Sequence, residues 1–180
     1  MSKSQDTSIT EGMRILRGLE EPKEYIPPNT ILKLFKHLIT DEGDRTRFLY
    51  FIAHRHKMRN TDINKIHFVL TGRGGTGKSL LVNTILKYID GTYMPEVVST
   101  TLDIDDIKKE AQLDRNKDKL VVLFMSNTKL TEITDNTKDF VAQIEMELPS
   151  FCKYLRDLPT ISHDDYYDSS NWSNTLKEKQ

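Results

Sequence analysis

The sequence predicts an α/β fold in which a parallel sheet core is flanked by helices, with helical N-terminal and C-terminal segments. Two observations carry the expectation. An apolar, partly β-branched run, Ile66, Phe68, Val69 and Leu70, passes through a glycine-rich turn directly into a helical pattern. A second apolar run, Leu120 to Met125, follows about fifty residues later, room for a crossover between parallel strands.

The turn is the most informative stretch of the chain. It reads Gly72-Arg73-Gly74-Gly75-Thr76-Gly77-Lys78-Ser79-Leu80, a complete G-x-x-x-x-G-K-[ST] motif. Each residue type has a physical task in such a phosphate-binding loop. Glycines permit backbone angles that let successive N–H groups converge on phosphate oxygens. Lys78 reaches the β- and γ-phosphates, and the Ser79 hydroxyl holds Mg²⁺. The helix that follows turns its positive end toward the anion. Leu80, Leu81, Ile85 and Leu86 give that helix an apolar stripe, and Gly91 can stop it. These residues point to a P-loop NTPase core that takes ATP and Mg²⁺.

The remaining elements follow in order. Residues 1–10 read as a polar disordered tail. Residues 11–60 read as a helical segment interrupted at Pro22 and Pro27-Pro28; Ile31, Leu32, Leu34, Phe35, Leu38 and Ile39 form one apolar face, and Phe48, Leu49, Phe51, Ile52 and Ala53 another, ended by Asn60. Residues 61–158 are assigned to the nucleotide-binding core with its closing helices, and residues 159–180 to a polar acidic tail. Within the core, Glu96–Thr101 is a further strand, Ile104–Gln112 a short helix and Leu113–Lys119 a charged loop. Asp103 and Asp106 suit the cap and acidic first turn of that helix better than a metal site. Near the end, Phe140, Val141, Ile144 and Leu148 read as a helix stopping before Pro149, and Phe151 to Leu158 as another before Pro159.

Composition limits the partners. Lys and Arg number 26 against 27 Asp and Glu, so the net charge of −1 offers no global attraction to nucleic acid. The local basic cluster His54-Arg55-His56-Lys57-Met58-Arg59 is the candidate DNA contact, although positive charge at a helix C-terminus also complements the helix dipole. His54 and His56 lie on different faces of a helix and do not pair for a metal. The acidic surroundings of Tyr166, Tyr167 and Trp172 disfavour base stacking there. Cys152 is the single cysteine, which leaves no internal disulfide and reads as a small buried hydrophobe. No apolar run approaches the ~20 residues that span a bilayer and the N-terminus is no signal peptide. The expected setting is a cytoplasm, that of the host cell if the chain is viral.

The phrase Val69 to Ser79, preceded by a helix that ends in a basic cluster, resembles the superfamily 3 helicase ATPase of phage and plasmid primase-helicases. The strand running to Ser126-Asn127 looks like that family's third motif, whose terminal Asn senses the γ-phosphate and positions the attacking water; Asn127 matches it. Thr128 to Asn136 and Glu147 to Leu155 are similar to the segments that follow. The resemblance implies Lys78 and Asn127 in catalysis, a homo-oligomeric ring or association with a replication protein, and translocation on DNA.

Two departures accompany it. Ser126 stands where the acid of the Walker B strand belongs, with Asp103, Asp105, Asp106 and Glu132 as possible substitutes. No arginine lies between Asn127 and Pro149, so the family's arginine pair has no counterpart before Arg156. Loss of such a transition-state charge can slow turnover on the order of 10³-fold or more. Two functions are therefore expected: an ATPase or helicase of phage or mobile-element DNA replication, or a hydrolysis-deficient ATP-binding regulator of a replication or host partner. A GTPase is disfavoured because Asn116-Lys117-Asp118-Lys119 precedes its strand and lacks the guanine-reading register, and a small-molecule kinase because only Arg115 and Arg156 lie beyond the loop.

Overall fold

The computed structural model describes residues 9–54, 66–91, 97–100, 119–124, 126 and 128–159. The elements are α1 (Glu11–Leu16), α2 (Asn29–Leu38), α3 (Glu42–His54), β1 (Ile66–Thr71), α4 (Lys78–Leu80), a π-helical stretch (Leu81–Leu86), α5 (Lys87–Asp90), β2 (Val97–Thr100), β3 (Lys119–Phe124), a 3₁₀ turn (Leu130–Glu132) and α6 (Thr137–Arg156). From Lys78 to Asp90 the backbone stays helical through both junctions, so α4, the π-helical stretch and α5 form one rod ended by Gly91 at φ 79°.

The caps follow from the sequence. Thr10 Oγ accepts from Met13 N and donates to the Ile89 carbonyl, so α1 is capped and pinned to the end of α5 by one hydroxyl. Thr10 thus belongs to the ordered fold, although the sequence places it at the end of a disordered tail. Asp41 accepts from Asp44 N at the start of α3, and Asn136 accepts from Asp139 N at the start of α6. Pro149, expected to divide two helices, lies inside the single helix α6. A proline in a helix interior removes a backbone donor and crowds the carbonyl four residues back, so tertiary contacts must hold this helix together.

Those contacts are polar and buried. Glu147 is 1% exposed, and its carboxylate accepts from the backbone N–H groups of Thr30 and Ile31, which are orphan donors in the first turn of α2. Gln143 donates to the same carboxylate from one turn earlier. Ser150 Oγ accepts from Ile26 N and donates to the Glu24 carbonyl. One face of α6 therefore caps α2 and fixes the proline-rich segment before it.

The apolar faces complete the packing. α6 packs against α1, α2 and α3. Phe151 of α6 meets Phe35 of α2 at 5.6 Å, Phe35 meets Phe48 of α3 at 6.3 Å, and Phe48 and Phe51 meet Phe68 of β1 at 5.1 and 4.6 Å. Each buried phenylalanine stabilises by about 1.5–3 kcal/mol, with about 0.5–1.5 kcal/mol more for a well-placed ring pair. Phe48, Leu49, Phe51, Ile52, Ala53 and His54 are all buried, which suits a helix enclosed on several sides.

The fold class expected from the sequence requires correction. The described residues are mostly helical and do not build a P-loop NTPase parallel sheet core flanked by helices. The strands expected at Ile66–Leu70, Glu96–Thr101 and Leu120–Met125 do form, in parallel and in the order β2-β1-β3, but they are short: six, four and six residues. Among residues of described burial, the apolar core is made almost wholly by helices, and the sheet contributes Phe68 and Leu70 of β1. The physical reason lies in the apolar stripes of α1, α2, α3 and α6. They bury against one another, so among residues of described burial the core is mainly helix on helix, with Phe68 and Leu70 of β1 packed into it. The short helix expected at Ile104–Gln112 lies outside the described residues. No helix among the described residues is long and apolar enough to cross a membrane.

Replacing Glu147 by Ala should leave two N–H groups of α2 unsatisfied and destabilise the fold by about 2–4 kcal/mol, since buried hydrogen bonds to a charged group carry about 1.5–3 kcal/mol each and share one carboxylate here. Glu147→Gln, which keeps an acceptor, should lose less than half of that. Urea unfolding of both variants checks the order; equal losses would rule out a capping role.

Candidate phosphate-binding loop

β1 ends at Thr71, the loop occupies 72–77, and helix begins at Lys78. Gly75 has φ 80° and Gly77 φ 108°, left-handed values that non-glycine residues resist. At Gly77 a side chain would also meet Leu34 Cδ1 at 3.1 Å, with Leu130 and Leu38 just beyond. Gly74 has open space around it.

Lys78 is the centre of the site. It is 6% exposed, and its ammonium donates to the carbonyls of Gly72 at 2.6 Å and Arg73 at 2.7 Å. Burial holds its pKa below the ordinary lysine value, and no acidic side chain among the described residues offsets that loss of water. Among the described residues this ammonium has hydrogen bonds but no counter-charge.

The rest of the loop is held from outside. Thr76, buried, donates through Oγ1 to the Arg73 carbonyl. The Gly75 carbonyl accepts from Leu130 N at 2.9 Å, and the Thr76 carbonyl accepts from His37 Nε2 at 2.9 Å. A trans peptide is planar, with its C=O and N–H on opposite sides. Fixing these two carbonyls therefore turns the N–H groups of Thr76 and Gly77 the other way. The helix that follows has no side-chain cap, and its first intrahelical bond runs from Leu81 N to the Gly77 carbonyl. The N–H groups of Lys78, Ser79 and Leu80 precede that bond and remain for an anion. Ser79 is exposed beside them. The adjoining six-residue π-helical stretch is a rare winding, frequent at functional sites.

The structure thus brings Gly72, Arg73, Gly74, Gly75, Thr76, Gly77, Lys78, Ser79 and Leu80 into one loop and helix start. Asn127 lies outside the described residues, as do Asp103, Asp105, Asp106, Arg55 to Arg59, Tyr166, Tyr167 and Trp172. The strand leading to Asn127 pairs with β1 so that Phe124 lies opposite Thr71, which puts the carboxyl ends of the two strands side by side. Ser126 N donates to the Leu38 carbonyl, and Ser126 Oγ accepts from Thr128 N. Glu132 is exposed in the 3₁₀ turn, and no group of three metal-ligating side chains occurs among the described residues.

Other sequence-derived candidates take structural roles. His54 is 1% exposed and stacked on Tyr50, so it is no part of an exposed basic patch. Arg156 bonds Glu21 at 2.9 Å and the Ile15 carbonyl, tying α6 to the end of α1. Cys152 is buried, and burial pushes its thiol up to about 12, which keeps it protonated and inert near neutral pH. His37 and Leu130, which bond the loop, were not legible from the sequence because their contacts span 39 and 55 positions of the chain.

Comparison with protein families, with curated proteins and with solved structures found no match to this chain.

Gly77→Ala should destabilise the protein by about 1–2 kcal/mol through its left-handed backbone and the Leu34 contact, whereas Gly74→Ala should stay within about 0.5 kcal/mol. Thermal melts of the pair decide this, and a reversal of the order would contradict the loop geometry. Cys152 should resist alkylation by iodoacetamide at pH 8 in the native protein and react readily in urea; prompt native labelling would contradict its burial.

Proposed function

We propose that the chain binds a nucleoside triphosphate, ATP with Mg²⁺, on the loop and helix start at residues 72–80. The observation that carries this reading is the buried Lys78 ammonium, which lacks an acidic partner among the described residues and sits beside N–H groups turned toward the same space. A polyphosphate supplies the missing negative charge and takes up the orphan donors together. The donor set fits a triphosphate. For Mg²⁺ the described residues offer the Ser79 hydroxyl, so the ion's remaining ligands come from phosphate oxygens and water.

The biological setting we propose is DNA replication of a phage or mobile element, on the resemblance of the loop and of the Ser126-Asn127 strand end to superfamily 3 helicases. Ser126 in place of an acid, and Arg156 engaged with Glu21, favour slow hydrolysis. This supports a nucleotide-gated accessory of a replication or host partner at least as well as a motor.

Binding of a fluorescent ATP analogue and turnover with and without single-stranded DNA separate these possibilities. ATP should bind in the presence of Mg²⁺, and Lys78→Ala should weaken it at least tenfold. DNA-stimulated turnover lost in the variant would establish the motor, and binding without turnover the regulator. Absence of ATP binding by the natural protein would sink the reading. The pH dependence has opposite signs for folding and binding. The folded pKa of Lys78 is lowered, so its penalty on the fold applies below that value and relaxes as pH rises toward 10.5. ATP affinity should instead fall over the same rise, as the ammonium loses its proton.

A further inference from the structure

We propose that His37, near the C-terminus of α2, is a positioning residue for the phosphate loop and couples it to Ser126 and residues 128–133. The proposal rests on the nucleotide-binding reading for its ligand but on geometry alone for its mechanical part.

His37 Nε2 lies 2.9 Å from the Thr76 carbonyl. A carbonyl only accepts, so Nε2 carries the proton, and the bond persists whether the ring is neutral or charged. It holds the peptide between Thr76 and Gly77, one residue before Lys78. Gly77, in its left-handed conformation, cannot hold that peptide by its own preference, because glycine is the least restricted residue. The preceding peptide is held by a different element, through Leu130 N on the Gly75 carbonyl. Two successive peptides of the loop are thus set by groups distant in sequence.

Those two groups are themselves linked. Ser126 N donates to the Leu38 carbonyl, adjacent to His37, and Lys33 Nζ donates to the Ile133 carbonyl. Leu34 and Leu38 of α2, together with Leu130, surround the place where a Gly77 side chain would lie. α2 therefore grips the loop with one face and, through polar contacts, Ser126 and the far end of the 128–133 segment. Any displacement of that segment reaches Thr76 through α2. By linkage, if the ordered segment raises the loop's affinity for an anion, the anion favours the ordered segment by the same factor.

The test uses His37→Ala and His37→Gln, the second retaining an N–H donor, in the full chain with the melting temperature measured for each. Without nucleotide, His37→Ala should speed hydrogen exchange at the amides of 76–80 and of Leu130 by fivefold or more, and His37→Gln should restore most of the protection. With the fluorescent ATP analogue and Mg²⁺, His37→Ala should bind about tenfold more weakly and His37→Gln within about threefold of the natural protein. ATP should slow exchange at Ser126 and Leu130 in the natural protein but not in His37→Ala. Unchanged exchange in His37→Ala without nucleotide would overturn the proposal. Changed exchange in a protein that fails to bind ATP would leave the positioning intact and remove the nucleotide reading alone.

Discussion

Phe35 lies between Phe151 of α6 and Phe48 of α3, and Phe48 passes the contact on to Phe68 of β1. This run of rings ties α6, α2 and α3 to β1. β1 delivers the chain into the glycine-rich loop, so the loop stands where the helical core places that strand. The same helix α2 that presents Phe35 inward presents His37 to the loop two residues later. Packing and site geometry therefore share one element. A change that shifts α2 along its axis disturbs the core and the loop together.

Glu147 and Ser150 are buried polar groups whose hydrogen bonds are met within the fold. Glu147 would be an expensive burial if it were alone, because an isolated carboxylate loses its water on entering an apolar interior. The first-turn N–H groups of α2 and the Gln143 amide replace that water. The arrangement also explains how Pro149 survives within α6. The helix loses one backbone bond there, and on either side of the break Glu147 and Ser150 anchor the incoming chain. The weak point of the helix coincides with its firmest tertiary attachment.

The loop presents the opposite economy. Lys78 has surrendered water without gaining a carboxylate among the described residues, and Gly75 and Gly77 hold left-handed backbone angles beside carbonyls bonded from Leu130 and His37. On the proposed reading, an anion bound at the loop would supply the charge that burial leaves unmet.

Read alone, the sequence placed the strands, the glycine-rich turn and Cys152 as a buried residue. The caps at Thr10, Asp41 and Asn136 emerged only with the structure. The strands and the turn depend on residues a few positions apart, where spacing and side-chain chemistry act directly. The motif at 72–80 was legible for the same reason. The tertiary structure decided what depends on distant partners. It made the core helix on helix, although the apolar runs of β1 and β3 suggested a sheet-centred fold, because periodicity shows that a face is apolar without showing which face meets it. It carried α6 through Pro149, which every local rule marks as a stop, because contacts with residues 24–31 outweigh the lost bond. It buried His54 and engaged Arg156 with Glu21, and it recruited His37 and Leu130 to the loop. A hydrogen bond between residues far apart in the chain leaves no periodic trace, and only the closing of the fold brings the two groups within reach.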